Sequence, residues 1–170
     1  MYRTRKSGFT LVEILIVVII LGILAAIVIP QFTNASQDAR KNSLTSQLQT
    51  VRSQLELAKL QHRDSVSGKL TGSTSGVHWD DLTIKTNDDY TTTGTPAFGP
   101  YLNGPPMNPL NGGSDVVVLS SGAEPTFGAT VTGGGTTIGW VYYTPTYKIF
   151  ATTKSGTKVY NEGDGSNADQ

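Results

Sequence analysis

Residues 9–29 read FTLVEILIVVIILGILAAIVI, an apolar run with a single charged side chain, Glu13. A helix of about 20 apolar residues crosses the roughly 30 Å hydrocarbon core of a bilayer, so this run predicts a membrane-spanning segment. A charged side chain inside such a segment costs about 2.5–3.5 kcal/mol at mid-bilayer. Glu13 lies off-centre, which lowers that cost without explaining the residue. We therefore expect a functional role and a positively charged partner.

A short basic leader, MYRTRKSG, precedes the apolar run and ends in Gly8. The stretch K-S-G-F-T-L-V-E, the apolar residues after it and then Pro30 closely resemble the N-terminus of type IV pilins and type II secretion pseudopilins, most of all the major pseudopilin. The resemblance implies that a prepilin peptidase cuts between Gly8 and Phe9 and that Phe9 is then methylated. It also implies a role for Glu13 in filament assembly.

Two other interpretations of the apolar run are a secretory signal peptide and a plain single-pass anchor. Signal-peptide cores are usually about 7–15 residues long and end at a small-residue cleavage site. This run is longer, and Ala25-Ala26 is followed by the bulky residues 27–29 instead of such a site. A plain anchor accounts for the length, but it accounts neither for Glu13 nor for the glycine-phenylalanine junction.

Charge and cysteine content limit the classes of function. The formal net charge is zero, but three basic residues lie in the leader, so the mature chain has ten basic and thirteen acidic side chains. Such a chain lacks the basic surface of nucleic-acid-binding proteins, and we expect no nucleic acid partner. The basic leader predicts a cytoplasmic N-terminus. There is no cysteine, whereas many type IV pilins carry a C-terminal cysteine pair, so the resemblance tilts toward a pseudopilin.

The resemblance implies a leader (1–8), and glycine and proline content divides the rest of the chain into a long helix (9–65, with 9–29 in the membrane) and a globular β-rich domain (66–170). The helical part holds one glycine and one proline, against seventeen glycines and seven prolines in the last part. These two residues mark turns and interrupt helices. We predict an α+β fold in which a small antiparallel sheet packs on the C-terminal half of the helix.

The predicted helix changes character at Pro30. Before it the sequence is apolar all round, and after it one stripe recurs at steps of four and three, as in an amphipathic helix packed against a domain: Leu44, Leu48, Val51, Leu55 and Ala58. Proline lacks the backbone donor and clashes with the preceding turn. A kink or local melting is therefore expected around residues 26–31.

Short strands are predicted in the last third of the chain. Residues 139–144 and 148–153 flank Pro145-Thr146-Tyr147 and indicate a hairpin, and residues 116–119 form a further apolar run. Residues 126–132 and 158–160 are weaker candidates. The segment 98–112 holds four prolines and favours a rigid loop with Tyr101 and Leu102 turned inward.

The acidic tail is a candidate calcium site. Major pseudopilins often hold calcium in such a loop, and this tail offers oxygen ligands of the kind that calcium prefers, at Asn161, Glu162, Asp164, Asn167 and Asp169. The resemblance is incomplete because no hydrophobic residue and closing tryptophan follow. A loop without that anchor is costly to order, at about 1–2 kcal/mol for each residue. A solvated tail without a cofactor is the favoured expectation.

Enzyme motifs are absent from the sequence, and the two histidines, His62 and His78, are expected to be solvated. The resemblance implies a structural subunit of the pseudopilus of a type II secretion system, a homo-oligomeric filament. Its implied partners are the prepilin peptidase, an inner-membrane assembly platform, minor pseudopilins and membrane lipid. The implied location is the inner membrane, crossed once, with the C-terminal domain in the periplasm. The alternatives are a type IV pilin for adhesion, motility or DNA uptake and, in another class, a membrane-anchored enzyme or binding domain.

Overall fold

The structure is a computed structural model that describes residues 8–62, 79–88, 91–132, 138–163 and 165. Its elements, in chain order, are α1 (Leu11–Gln61), α2 (Asp80–Thr83), β1 (Asp115–Leu119), β2 (Ile138–Tyr143) and β3 (Lys148–Ala151). The chain divides into two compact units, residues 1–39 and 40–170. All of the predicted leader except Gly8, and the first residues of the predicted globular domain, lie outside the described residues. The α+β fold is confirmed.

The long helix α1 carries the predicted stripe on one face. Its buried residues are the five that the spacing singled out, Leu44, Leu48, Val51, Leu55 and Ala58, none of them more than 2% exposed. Steps of four and three keep these side chains on one side of a helix with 3.6 residues per turn. The helix therefore supplies one wall of the core of residues 40–170.

The sheet has the order β1-β2-β3. The hairpin of β2 and β3 is antiparallel, with Tyr143 opposite Lys148, as predicted. β1 pairs with β2 in parallel, so the sheet is mixed and the expectation of a purely antiparallel sheet is corrected. Parallel neighbours need a crossover of about a dozen residues or more. The connection over residues 120–137 is long enough, and periodicity within single strands does not reveal strand direction.

The sheet is covered on both faces, and all six residues of β2 are buried. One side of the sheet packs with the α1 stripe in a core that includes Trp140, Tyr142 and Ile149. On the other side, Val141 and Phe150 pack with side chains from the surrounding loops. The weaker candidate strands contribute isolated bridges here, Thr130 to Lys158 and Thr152 to Val159.

Two loop regions close the core beside the helix. Trp79, just before α2, meets Trp140 edge to face at 6.2 Å, and its indole N–H donates to the carbonyl of Ser114 at 2.6 Å. Tyr101 and Leu102 in the proline-rich segment pack against the same core, as expected. Gly139 is required in β2 because a Cβ there would collide with the backbone of Gly113.

Candidate assembly site at the start of the long helix

The predicted cleavage site lies before the first turn of α1. Gly8 and Phe9 precede the helix, which begins at Leu11, and both residues are exposed. A Cβ placed on Gly8 would meet no atom within 4 Å. The bond between these residues is therefore open to a peptidase in the isolated subunit, and cleavage there stays a prediction.

Glu13 caps its own helix through Thr10. The backbone N–H and the hydroxyl of Thr10 both donate to Oε2 of Glu13, each at 2.8 Å, and the backbone N–H of Glu13 lies 3.2 Å from the Thr10 hydroxyl oxygen. This reciprocal pattern is a capping box, which satisfies backbone donors that the first turn of a helix leaves without partners. Oε1 of Glu13 makes no hydrogen bond within the described part of the chain.

Thr10 is the residue at this site that the charge argument misses. A buried or membrane-embedded charge draws attention to Glu13 alone, although the Thr-x-x-Glu spacing before an apolar run is a known helix-start pattern. The cap gives Glu13 a structural role within its own chain. It leaves one carboxylate oxygen available, so pairing of Glu13 with the Phe9 amine of an adjacent subunit stays a prediction.

The apolar residues after Glu13 are exposed around the whole circumference of the helix. In the span from Phe9 to Phe32, the large hydrophobic side chains are between 51% exposed, at Ile20, and 84% exposed, at Phe9. The most apolar part of α1 holds no buried residue. By length and composition α1 can cross a membrane. This surface therefore requires lipid or other copies of the helix as its cover.

Pro30 does not interrupt the helix. Residues on both sides of it are helical, so the local melting expected at residues 26–31 is not observed, while the predicted kink remains a prediction. The hydroxyl of Thr33 donates to the carbonyl of Ile29 at 3.1 Å. Such a bond from a threonine to the residue four positions earlier adds a partner for a backbone carbonyl next to the proline.

The acidic tail is only partly described, and its described members have partners within the protein. Both oxygens of Glu162 accept hydrogen bonds from the Arg52 guanidinium, at 2.7 and 2.6 Å. Oδ1 of Asn161 accepts the backbone N–H of Gly163 at 3.0 Å. The other candidate calcium ligands, Asp164, Asn167 and Asp169, lie outside the described residues.

His62 is buried, which corrects the expectation of a solvated side chain. It is 2% exposed, with Nδ1 2.7 Å from the carbonyl oxygen of Ala58 and Nε2 3.0 Å from the hydroxyl of Thr86. A carbonyl oxygen only accepts, so Nδ1 donates to Ala58. Burial raises the pKa of the neighbouring Tyr101, whose hydroxyl donates to Gln61 at 2.8 Å. His62 is thus part of the core, and His78 lies outside the described residues.

Comparison with known proteins connects this site to a family. Residues 3–29 match the prokaryotic N-terminal methylation motif, which includes Gly8, Phe9 and Glu13. The chain is 36% identical over 95 residues to the type IV narrow pilus major component PilA5 of Thermus thermophilus, across 52% of this chain and 77% of that protein. The chain belongs to the family of type IV pilins and type II secretion pseudopilins.

Both branches of this pilin family are represented among the relatives. The type II secretion system core protein G of Pseudomonas aeruginosa is 42% identical over 60 residues, which cover 35% of this chain and 42% of that protein. The type IV major fimbrial protein FimA of Dichelobacter nodosus is 51% identical over 51 residues, which cover 28% and 33%. The chain thus spans less than half the length of these two pilin-family relatives. No solved structure matches the chain.

Proposed function

We propose that the protein is a pseudopilin, a structural subunit of the periplasmic pseudopilus of a type II secretion system. The observation that carries this proposal is the start of α1. There the carboxylate of Glu13 accepts hydrogen bonds from Thr10 in the first turn, and the large hydrophobic side chains from Phe9 to Phe32 are all exposed. The similarity to core protein G of a type II secretion system supports the secretion branch. The relatives are structural proteins, which supports this role over a membrane-anchored enzyme or binding domain.

The proposed assembly follows from the two parts of the helix. Before assembly, lipid of the inner membrane covers the apolar residues, and the domain after residue 40 lies in the periplasm. Removal of the leader deletes the basic residues that hold the N-terminus in the cytoplasm. Neighbouring helices then replace lipid around one another, and a head-to-tail contact that does not close generates a filament.

At the start of the helix, Glu13 would provide the register. Apolar helices pack against one another at many similar offsets, whereas a carboxylate in an apolar surrounding strongly favours a charged partner. In the proposed filament, Oε1 of Glu13 accepts a hydrogen bond from the Phe9 amine of an adjacent subunit, while Oε2 keeps its two hydrogen bonds from Thr10. The pair fixes one offset between the two subunits.

The proposed partners follow from the same family assignment. The prepilin peptidase would cleave between Gly8 and Phe9, and an inner-membrane assembly platform would extract the subunits. Other copies of the chain would form the body of the filament, with minor pseudopilins at its tip. The exposed cleavage site and the exposed apolar helix support the first two contacts.

A type IV pilin is the second candidate function, and one observation favours it. The alignment with the Thermus thermophilus pilus component spans 52% of this chain, whereas the alignment with core protein G of Pseudomonas aeruginosa spans 35%. The longer alignment reaches beyond the N-terminal helix. A role in adhesion, motility or DNA uptake would then replace secretion, with the same helix-driven assembly.

Deletion of the gene in its native host distinguishes the two functions. We expect exported enzymes to accumulate in the periplasm of the deletion strain, while surface filaments seen by electron microscopy persist. A wild-type copy supplied in trans is the control and should restore secretion. Loss of surface filaments with normal secretion would instead establish the pilin. Intact-mass analysis of the complemented strain should show a chain that begins at methylated Phe9, and an uncut leader would contradict both functions.

A further inference from the structure

The tripeptide Leu-Asn-Gly occurs twice in the proline-rich region, at residues 102–104 and again at residues 110–112. We propose that Asn103 is a site of spontaneous deamidation in the folded protein and that the fold protects Asn111 from the same reaction. The two sites share the reacting asparagine and glycine and the leucine before them, so a large difference in their reactivity in the folded protein arises from tertiary structure. The proposal is independent of the role of the filament.

The reaction needs only water. The backbone nitrogen of the glycine loses its proton to base and attacks Cγ of the asparagine, which forms a carbon–nitrogen bond and expels the side-chain nitrogen as ammonia. The resulting cyclic imide takes up one water at either carbonyl. Opening then gives aspartate or isoaspartate, with no oxidation or reduction. Glycine favours this attack because it has no side chain beside the nitrogen and leaves the backbone flexible.

The surroundings of Asn103 leave both reacting groups free to approach each other. Asn103 is exposed and lies in a bend, and a Cβ built on Gly104 would meet no atom within 4 Å. In the described part of the chain, neither the Asn103 side chain nor the Gly104 N–H makes a hydrogen bond. The amide can therefore rotate toward the backbone nitrogen without breaking any contact.

At Asn111 the same two groups are held apart by hydrogen bonds. The side-chain nitrogen of Asn111 donates to the carbonyls of Ile138 and Thr153 and to the Thr152 hydroxyl, at 2.9 to 3.0 Å. The Gly112 N–H, the nucleophile in the reaction, donates to the carbonyl of Asn108 at 2.7 Å.

The side-chain oxygen of Asn111 is also bonded, since Oδ1 accepts a hydrogen bond from the backbone N–H of Gly113 at 2.8 Å. Attack at Asn111 requires rotation of the amide, which breaks all of the side-chain bonds at once. The site is attached to both β2 and the end of β3, so this opening involves the sheet and is rare in the folded protein.

Conversion of Asn103 changes the charge of an otherwise neutral surface. Residues 98–112 contain no acidic or basic side chain. Aspartate or isoaspartate at position 103 would add a negative charge to this loop, and isoaspartate would also add one carbon to the main chain. Neither change removes a side-chain hydrogen bond of Asn103, since that side chain makes none in the described part of the chain.

The test compares the two tripeptides in one protein. Full-length protein in detergent is incubated at mildly alkaline pH, folded or in urea, and peptide mapping by mass spectrometry follows aspartate and isoaspartate at both positions. In the folded protein we expect conversion of Asn103 to be at least about tenfold faster than that of Asn111, because several hydrogen bonds must open together at Asn111. In urea the two rates should agree within about threefold, because the protecting structure is lost.

Variants identify the attacking atom. Gly104→Ala should slow conversion of Asn103 in both states, since the added methyl hinders the nitrogen, and Asn103→Gln should abolish the fast conversion while leaving the rate at Asn111 unchanged. Equal rates at the two positions in the folded protein would overturn the proposal. So would an Asn103 that converts in urea but not in the fold, or a failure of both sites to convert in urea.

Discussion

The two halves of α1 carry apolar residues in opposite ways. From Phe9 to Phe32 the large apolar side chains point in every direction and all are exposed, whereas between residues 44 and 58 five apolar side chains occupy one stripe and are buried, and only Leu57 lies off it. A stripe provides one face for one partner, here the domain of the same chain. A helix that is apolar on all sides has to be surrounded, and the described residues of this chain do not surround it.

The same comparison separates folding from assembly. Burial of the stripe contributes to the stability of residues 40–170, at about 25 cal/mol for each Å² removed from water. The first half gains nothing comparable until lipid or neighbouring helices cover it. Substitutions in the second half should therefore act on unfolding, and those in the first half on insertion and filament formation.

The largest expected effect is at Glu13. Glu13→Gln keeps the shape of the side chain but removes its charge, so the Phe9 amine of the adjacent subunit would be left without a partner. Leaving a buried charge unpaired costs about 3–5 kcal/mol, and the loss recurs at every contact along the filament. We expect assembly to stop while expression and the unfolding midpoint stay unchanged. Chemical cross-linking of intact cells, followed by separation of the cross-linked oligomers of this chain by size, measures filament assembly in the periplasm.

A matched control for this variant lies in the second half of the same helix. Glu56 is exposed and pairs with Lys59 at 2.6 Å, three residues along the surface. Exposed pairs of this kind contribute about 0–1 kcal/mol. Glu56→Gln should therefore assemble normally, and normal filaments from Glu13→Gln as well would refute the proposed register.

Next in size is the contrast between a leucine in each half. Leu48 is fully buried and Leu24 is 53% exposed. Leu48→Ala should lower the free energy of unfolding by about 2–5 kcal/mol, because it leaves a cavity in the core. Leu24→Ala should leave it unchanged. Urea unfolding in detergent, followed by tryptophan fluorescence, measures both, and an equal loss of stability would mean that the first half also packs on the domain.

A smaller effect is expected at the ion pair between Arg52 of α1 and Glu162 near the C-terminus. Arg52 donates to both oxygens of Glu162 and to the carbonyl of Ile149 at 2.8 Å, and the two side chains are 39% and 20% exposed. Hydrogen bonds to charged groups contribute about 1.5–3 kcal/mol, and solvent screening reduces that here. Arg52→Gln should therefore destabilise the protein by about 1 kcal/mol.

A double-mutant cycle with Glu162→Gln assigns this stability to the pair. If the ion pair carries the effect, the second substitution should add little once Arg52 has been replaced. Full additivity of the two losses would show that Arg52 acts through the Ile149 carbonyl alone.

The smallest expected effect is that of calcium. Glu162, a member of the candidate calcium site, already has both oxygens bonded to Arg52. We therefore expect the same thermal midpoint in millimolar calcium and in chelator. An ion that binds the folded state raises the midpoint by mass action. A rise that disappears in the Glu162→Gln variant would establish the site.

Local pattern was sufficient for the features that depend on neighbouring residues along the chain. The spacing of Leu44 to Ala58 predicted the buried face of α1, and the two segments that flank Pro145-Thr146-Tyr147 predicted the hairpin. The uninterrupted apolar run with Glu13 predicted a segment whose partner lies outside the chain. Each of these patterns lies within one short stretch of the chain, and the stripe follows the period of 3.6 residues, so the order of residues contains them directly.

Only the tertiary structure decided the features that join distant residues. The parallel pairing of β1 with β2, the ion pair of Arg52 with Glu162 and the burial of His62 against Thr86 each connect segments far apart in sequence. The two Leu-Asn-Gly tripeptides show the same limit, since identical local sequence lies in an open bend at Asn103 and in a hydrogen-bonded site at Asn111. The physical reason is that these hydrogen-bond partners and this strand direction depend on which distant segments fold next to each other, and the pattern within one segment does not contain that information.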